Sequence, residues 1–391
     1  MKKDILHSKT ALPIIGIFGN GQLGRMLSME ARRMGIHSIV FGPGAASPTG
    51  EIATEIVDAP YSDLDRVREF AKSVDVITYE FENIPLPTAM AAAELTPVFP
   101  QPSLLAIAQN RLREKSFLSQ IGLPVTLFRP VNSPEELAKA CQTIGYPAVL
   151  KTAESGYDGK GQAKLYVEED QGGAWKAVGE KPSVLEEWIE FKQEISVVGA
   201  RDKWGGFESF GPIENQHTNH ILDLSIWPAL CSEQTAKRAV EAVKQVMDHL
   251  EIIGVLCVEF FELENGDLIL NEIAPRPHNS GHLTIEGFAT NQFEQQLRTI
   301  IGLPVGKPVP RSAVCVMGNL LGDLWPLETG GDPQWDKILE NPMLKLHLYG
   351  KKAARPGRKM GHITLTGSER QGCIEAIREA RLRLSELKFL S

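Results

Sequence analysis

Residues 255–282, VLCVEFFELENGDLILNEIAPRPHNSGH, contain the carboxylates best placed by spacing to hold a cation. Two runs rich in β-branched and aromatic residues flank Asn265-Gly266, a dipeptide that favours a two-residue type I′ turn and therefore a β-hairpin. Register counted from that turn sets Glu264 opposite Asp267, Phe261 opposite Leu270 and Glu259 opposite Glu272. Like charges directly across a ladder repel. Glu259 and Glu272 therefore either splay into solvent or share a hard cation such as Mg²⁺, which takes one or two carboxylates and completes its shell with water and phosphate oxygens. Spacing alone leaves both readings open.

A second signal is the loop ESGYDGKGQ, between the strand-like AVLKT and KLYV. The glycines Gly156, Gly159 and Gly161 expose backbone N–H groups and Lys160 adds a point charge, a combination suited to phosphate. A Walker A loop is excluded, because that motif needs Ser or Thr after Gly-Lys and a following helix. A flexible turn is the competing reading. Lys151, at the end of AVLKT, offers a second cation. In LEEWIEF, Glu186 and Glu187 with the later Glu194 suit a backbone that meets a purine and a carboxylate that meets ribose hydroxyls, or else a solvated strand. The basic run GKKAARPGRK, with Lys351, Arg358 and Lys359, suits a dianion or a solvated face.

The elements that must carry these residues follow from periodicity. IIGIF, then Gly19-Asn20-Gly21-Gln22-Leu23-Gly24, then a helical stretch reads as strand, glycine turn and helix, the opening of a doubly wound α/β unit. The second strand ends Val40-Phe41-Gly42-Pro43 without the acidic residue a dinucleotide ribose needs. An NAD site is therefore disfavoured against a plain tight turn or a phosphate or substrate contact at Gln22 and Leu23. Residues 103–122 read as one helix, and Ser133-Pro134-Glu135-Glu136 as a capping box. Ala236, Val240, Val243, Met247 and Leu250 give one apolar stripe, and residues 288–301 read as a further helix. These patterns divide the chain into a Rossmann-like part (1–110), a middle part (111–302, with a flap subdomain near 125–190) and a C-terminal part (303–391), a mixture of α/β and α+β architecture.

Composition bounds the function. The 391 residues carry a net charge of -8, which argues against a general nucleic-acid binder. The five cysteines are scattered without CxxC or Cys/His spacing, as in a reducing compartment. With no membrane-length apolar run and no leader-like N-terminus, a cytoplasmic location is expected.

The order of lysine strand, glycine flap, acidic strand, long helix and carboxylate hairpin resembles the ATP-grasp superfamily. GNGQLGRM, TYEFENIP, KTAESGYDGKGQ, ENQHTNHILDLSIWPA, EIAPRPHNSGH and YGKKAARPGRKMGHIT together are similar to the N5-carboxyaminoimidazole ribonucleotide synthetase family. The resemblance implies an ATP-grasp fold with a pre-ATP-grasp N-terminal domain and a small β-rich C-terminal domain. It places ATP against Arg111, Lys151, Gly156, Tyr157, Asp158, Gly159, Lys160, Gly161, Gln162, Glu186, Glu187, Trp188, Ile189, Glu194, His217, Asn271 and Glu272, and Mg²⁺ on Glu259 and Glu272. Asn271 is expected to face away from Glu272 in a regular strand.

The same resemblance implies carboxylation of 5-aminoimidazole ribonucleotide by bicarbonate and ATP through carboxyphosphate. Asp158, Lys160, Arg276 and His278 would stand at the reacting groups. Gln22, Leu23, Glu82, Arg276, His278, Asn279, Lys351, Arg358 and Lys359 would hold the ribonucleotide. His278 is open between proton shuttle and hydrogen-bond donor. A homodimer, no nucleic-acid partner and no membrane are also implied. Formate-dependent phosphoribosylglycinamide transformylase is the nearest alternative, although that family resembles GELG and RPHDTG where this chain has GQLG and RPHNSG; an NAD-dependent oxidoreductase is the next.

Overall fold

The computed structural model describes residues 12–44, 46–154, 156, 160–326 and 331–387, so Tyr157, Asp158 and Gly159 of the expected flap lie outside the described residues. The N-terminal strands β1 (Ile14–Phe18), β2 (His37–Phe41), β3 (Glu55–Val57) and β4 (Val76–Tyr79) form a parallel sheet in the order β3-β2-β1-β4. Helices α1 (Gln22–Arg33), α2 (Leu64–Ser73) and α3 (Leu86–Ala93) connect and cover it. The unbroken apolar run of β1 is explained by burial on both faces. Ile15 and Ile17 pack with Leu23, Met26 and Leu27 of α1, while Phe18 packs with Phe41, Phe70 and Tyr79.

The single helix expected over 103–122 is two helices, α4 (Pro102–Ala108) and α5 (Arg111–Gln120). Asn110 breaks it: its backbone is extended at φ -137° and its Oδ1 accepts from Arg113 N at 3.1 Å, an N-cap that restarts the helix. The break turns Arg111, Glu114, Lys115 and Leu118 onto one inward face.

Strands β5 (Phe128–Val131), β6 (Ala148–Thr152), β7 (Gln162–Leu165) and β8 (Ser183–Glu187) make a second, antiparallel sheet in the order β5-β8-β6-β7. Helices α6 (Pro134–Ile144) and α7 (Gln171–Ala177) bury Leu137, Cys141 and Trp175 against it. β6 and β7 pair down to Lys151 with Gln162, so the glycine loop does cap a hairpin.

The third sheet runs β9 (Gln193–Arg201), β10 (Phe207–Thr218), β11 (Ile221–Trp227), β12 (Gly254–Glu262), β13 (Leu268–Ala274), β14 (Val314–Leu321), β15 (Leu344–Leu348) and β16 (Lys359–Gly367) along the chain. In space the order is β13-β12-β9-β10-β11-β14-β16-β15, so the C-terminal strands extend the sheet of the middle part rather than forming one of their own. Helices α8 (Glu233–His249), α9 (Thr284–Gly287), α10 (Gln292–Ile300) and α11 (Arg370–Leu387) complete the chain. The buried stripe of α8 centres on Ala239, Val243, Val246 and Met247, with Ala236, Val240 and Leu250 on its flanks. The helix expected from 288 starts at Gln292, because Phe288 pairs with Pro310 in an isolated bridge.

One face of this sheet packs Ile195, Val197, Val258, Phe260 and Leu270 against α4, α5 and α8. The opposite face is divided along its length. One end is apolar and sealed by the 3₁₀ turn Ser280–Leu283 and Phe288 against Val198, Ala200, Val255 and Cys257. Strand alternation then carries the same face onward to Glu194, Ser196, Glu259 and Phe261, which floor the site. Among the described residues no helix is long and apolar enough to cross a membrane.

Candidate active site

The β12–β13 hairpin does not close as its sequence suggests. Leu263 N donates to Asp267 O at 2.8 Å and Gly266 has φ +81°, a three-residue loop with glycine in the left-handed position. Phe261 therefore faces Ile269, not Leu270, and Leu263, not Glu264, meets Asp267. A register shift between Glu259 and Phe260 then restores the pairing of Glu259 with Glu272. The type I′ pattern lies instead at Asn219-His220, with φ +51° and +64°, between the paired Thr218 and Ile221.

The residue opposite no partner in that shift is Asn271, so Asn271 and Glu272 both line a cavity of about 210 Å³ with Glu259. This corrects the expectation that Asn271 faces away; a bulge puts consecutive side chains on one side. Asn271 Oδ1 is buried without a hydrogen-bond partner. Burial and the charge of Glu272 push the Glu259 carboxyl up to about 8. Two carboxylates and an orphaned amide oxygen form an all-oxygen donor set that fits a hard divalent cation. Among the described residues no cluster of three or more His, Cys, Asp or Glu side chains offers a rival metal site.

Lys151, Lys160, Gln162, Arg111, Glu194 and His217 line the same cavity. Arg111 Nη1 lies 3.3 Å from Glu272 Oε2, and His217 Nδ1 lies 3.3 Å from Glu194 Oε2. Burial lowers the His217 imidazole, but the bond and charge of Glu194 lift it above its usual value. Adjoining it is a slot of about 250 Å³ with Glu186, Glu187, Trp188 and Ile189 on one side and Val149, Phe261 and His220 among its other walls. Gly161 has φ +71° and a Cβ there would meet Thr152 Oγ1 at 2.6 Å, so the flap base requires glycine.

Under this slot lies a buried charge cluster. Glu186 Oε2 is 2.9 Å from Lys151 Nζ and 3.4 Å from Lys115 Nζ, which also donates to Thr126 Oγ1 at 3.1 Å. Burial would raise the Glu186 carboxyl, but Lys151, Lys115 and Arg111 bring it to about 2. Lys115 itself is pushed down by burial against the pull of Glu186. Glu114, one turn from Arg111, is pushed up to about 8 by burial and by Glu272, and its Oε1 accepts from Ile273 N at 2.5 Å.

A larger cavity of about 470 Å³ shares Arg111, Glu272, His278, Asn279 and Lys359 with the first and adds Gln22, Leu23, Glu82, Gly156 and Arg276. Arg276 Nε donates to Glu82, which fixes the guanidinium against the N-terminal domain. Asn279 has both amide atoms buried without partners. Burial and Arg276 hold the His278 imidazole well below its usual value. Lys351 and Arg358 do not line either cavity: Lys351 Nζ donates to Lys359 O at 2.6 Å and Arg358 Nη1 to Ala353 O at 2.6 Å.

The glycine turn before α1 is already occupied. Glu80 accepts from Gly21 N at 2.8 Å and Gly24 N at 3.1 Å, filling with a carboxylate the position a pyrophosphate takes in dinucleotide-binding folds. Gln22 and Leu23, whose N–H groups sit in the first helical turn and have no intrahelical acceptor, remain at the cavity wall. Glu80, Glu114, Lys115, His220 and Phe261 were not singled out by motif. The spacing 111, 114, 115, 118 was a usable signal, since charged residues at core positions of a helix mark a buried ionic site.

The chain matches the ribonucleotide synthetase preATP-grasp domain over residues 12–109, the ATP-grasp domain over 116–293 and the phosphoribosylaminoimidazole carboxylase C-terminal domain over 315–376. It is 44% identical over 352 residues to the N5-carboxyaminoimidazole ribonucleotide synthase of Brucella melitensis, covering 90% of this chain and 95% of that protein. A solved ADP complex of N5-carboxyaminoimidazole ribonucleotide synthetase superposes with a TM-score of 0.90 at 37% identity, covering 97% of this chain and 100% of that one. The Aspergillus clavatus enzyme, solved with ADP and 5-aminoimidazole ribonucleotide, gives 0.87 at 31% identity, covering 96% and 99%. By sequence and fold, the chain belongs to the N5-carboxyaminoimidazole ribonucleotide synthase family, ATP-dependent ligases of purine biosynthesis.

Proposed function

We propose that the ATP-dependent conversion of 5-aminoimidazole ribonucleotide to its N5-carboxy form proceeds here by phosphorylation of bicarbonate, with ATP in the slot and smaller cavity and the ribonucleotide in the larger one. The observation that carries this reading is the wall the two cavities share. Arg111, Glu272, His278, Asn279 and Lys359 border both, so a group activated on one side can be captured on the other.

In this reading the adenine lies between Val149 and Phe261 beside residues 186–189, and Glu194 faces the ribose. Arg111, Lys151 and Lys160 neutralise the phosphates. Glu259, Glu272 and the free Oδ1 of Asn271 would hold Mg²⁺, which supplies charge neutralisation and alignment of the phosphate oxygens. A bicarbonate oxygen attacks the γ-phosphorus and ADP leaves, giving carboxyphosphate. The exocyclic amine then attacks its carbonyl carbon, the carbon–oxygen bond to phosphate breaks, and the amine proton is lost as phosphate departs. Phosphoryl transfer asks the protein mainly for positioning and charge, which matches a site built of fixed cations. Arg276, held by Glu82, sits where the carboxylate develops, and Asn279 offers both amide atoms to substrate. Gln22, Leu23 and Lys359 hold the ribonucleotide, and Lys351 and Arg358 of the adjoining loop add positive charge for its phosphate.

The protein is proposed to act in the cytoplasm as a homodimer, which sedimentation equilibrium tests. The chemistry is tested by ADP formation with Mg²⁺ and 5-aminoimidazole ribonucleotide, with and without bicarbonate, and again with glycinamide ribonucleotide and formate. Bicarbonate-dependent turnover supports the reading; turnover driven by formate instead overturns it.

A further inference from the structure

Behind His278 the third sheet buries four polar side chains to which the reaction above gives no role. Ser196, Ser225 and Ser280 are 0% exposed and Asn215 is 6% exposed. Register brings them together: Asn215 pairs with Ser225, and Ser196 pairs with Glu259 on the neighbouring strand. Ser280 lies on the 3₁₀ turn that seals this face.

The hydrogen bonds between them all run one way. Ser225 Oγ donates to Asn215 Oδ1 at 2.9 Å, and Asn215 Nδ2 donates to Ser196 Oγ at 2.8 Å. An amide nitrogen can only donate, and Ser196, which accepts from it, gives its own proton to Ser280 Oγ at 2.7 Å. Ser280 Oγ in turn lies 2.8 Å from His278 Nδ1, and Ser280 N donates to the same nitrogen at 3.3 Å. Nδ1 therefore accepts, and the ring proton resides on Nε2, which faces Glu259 Oε1 at 3.3 Å. In stability terms the chain is nearly idle, since a buried hydrogen bond largely replaces one made to water and an apolar core of the same shape would serve as well. Its single direction nevertheless ends on one atom at the wall between the two cavities.

We propose that Ser225, Asn215, Ser196 and Ser280 are positioning residues that lock His278 as the Nε2–H tautomer, so that it acts as a fixed hydrogen-bond donor to an anionic oxygen passing between the cavities, and not as a proton acceptor. This rests on the placement of phosphate and acceptor argued above. The informative variant is Asn215→Asp, nearly isosteric and, in its ionised form, able only to accept. Ser196 then turns its proton toward residue 215, Ser280 turns toward Ser196, and Nδ1 loses its hydroxyl donor.

The test combines ¹⁵N-histidine NMR of the intact enzyme with steady-state kinetics, the His278 signal being identified by its loss in His278→Gln. Wild type should show Nε2–H. Asn215→Asp should shift the population toward Nδ1–H and lower kcat about tenfold, with KM for ATP within about twofold, the pattern of a lost transition-state contact. If Asn215→Asp does not fold, Ser280→Ala deletes the hydroxyl that donates to Nδ1, and the same shift in tautomer and kcat is expected. A wild-type Nδ1–H tautomer, or a folded variant whose kcat stays within about twofold of wild type, overturns the proposal. Absence of bicarbonate-dependent ADP formation by wild type would instead remove the reading of the cavities, while the tautomer measurement still decides whether the chain holds the ring.

Discussion

Replacing Glu186 by Gln isolates the electrostatic logic of the site. Glu186 is the shared counter-charge of Lys115 and Lys151, with Nζ to Oε2 distances of 3.4 and 2.9 Å. Removing one partner of a buried ion pair costs about 3–5 kcal/mol, because the remaining charge stays desolvated. The same pairs depress the carboxyl, and its fall from an ordinary 4.5 to about 2 corresponds to about 3 kcal/mol. The sign follows from that depression: the contribution is complete above pH 4.5 and is lost as pH falls through about 2. Lys115 keeps Thr126 Oγ1 and Asn271 O as acceptors and is already pushed toward its neutral form, so the lower end of the range applies. Amide exchange at neutral pH should therefore speed up about a hundredfold in β6 and β8, and Glu186→Gln/Lys115→Met should recover much of the loss. A change below about 1 kcal/mol, the scale of a surface pair, would refute the buried-cluster argument.

Three further outcomes follow from the geometry. Glu272→Gln should abolish ADP formation while circular dichroism stays native, and turnover within about threefold of wild type would remove the metal assignment. Phe261→Ala opens the slot beside residues 186–189 and should raise KM for ATP about tenfold with little change in kcat, as expected for a contact made equally in ground and transition states. Glu80→Ala removes the acceptor of Gly21 N and Gly24 N and should destabilise the N-terminal part by about 1–3 kcal/mol in urea unfolding followed by exchange of β1 amides; unchanged β1 protection would mean that the carboxylate is not holding the turn.

The sequence was most legible where local chemistry and tertiary structure agree. The β1 run and its glycine turn, the β6–β7 hairpin at Lys151 and Gln162, and the pairing of Glu259 with Glu272 could all be read from pattern. That last pairing was reached through a wrong turn: a three-residue loop moved the register by one and a bulge at Asn271 moved it back. Neither event has a signature in a single sequence, since Asn-Gly serves both loop types and a bulge is chosen by the partner strand. The break at Asn110 was hidden because apolar residues continue through it, although a capping Asn before a run of charges was visible. Glu80 could not be assigned, because its role depends on a glycine turn 59 residues earlier in the chain. The buried chain from Ser225 to His278 was equally invisible, as its members come from three separate strands and a 3₁₀ turn.

In the proposed reaction, phosphoryl transfer to bicarbonate precedes carboxyl capture. That order is tested most directly with ¹⁸O-labelled bicarbonate, Mg²⁺, ATP and 5-aminoimidazole ribonucleotide, by mass analysis of the inorganic phosphate released. Attack of a bicarbonate oxygen on the γ-phosphorus, followed by carbon–oxygen cleavage, predicts transfer of a single ¹⁸O to each phosphate formed. Phosphate carrying no label from bicarbonate, in reactions that still yield the carboxylated ribonucleotide, would contradict it.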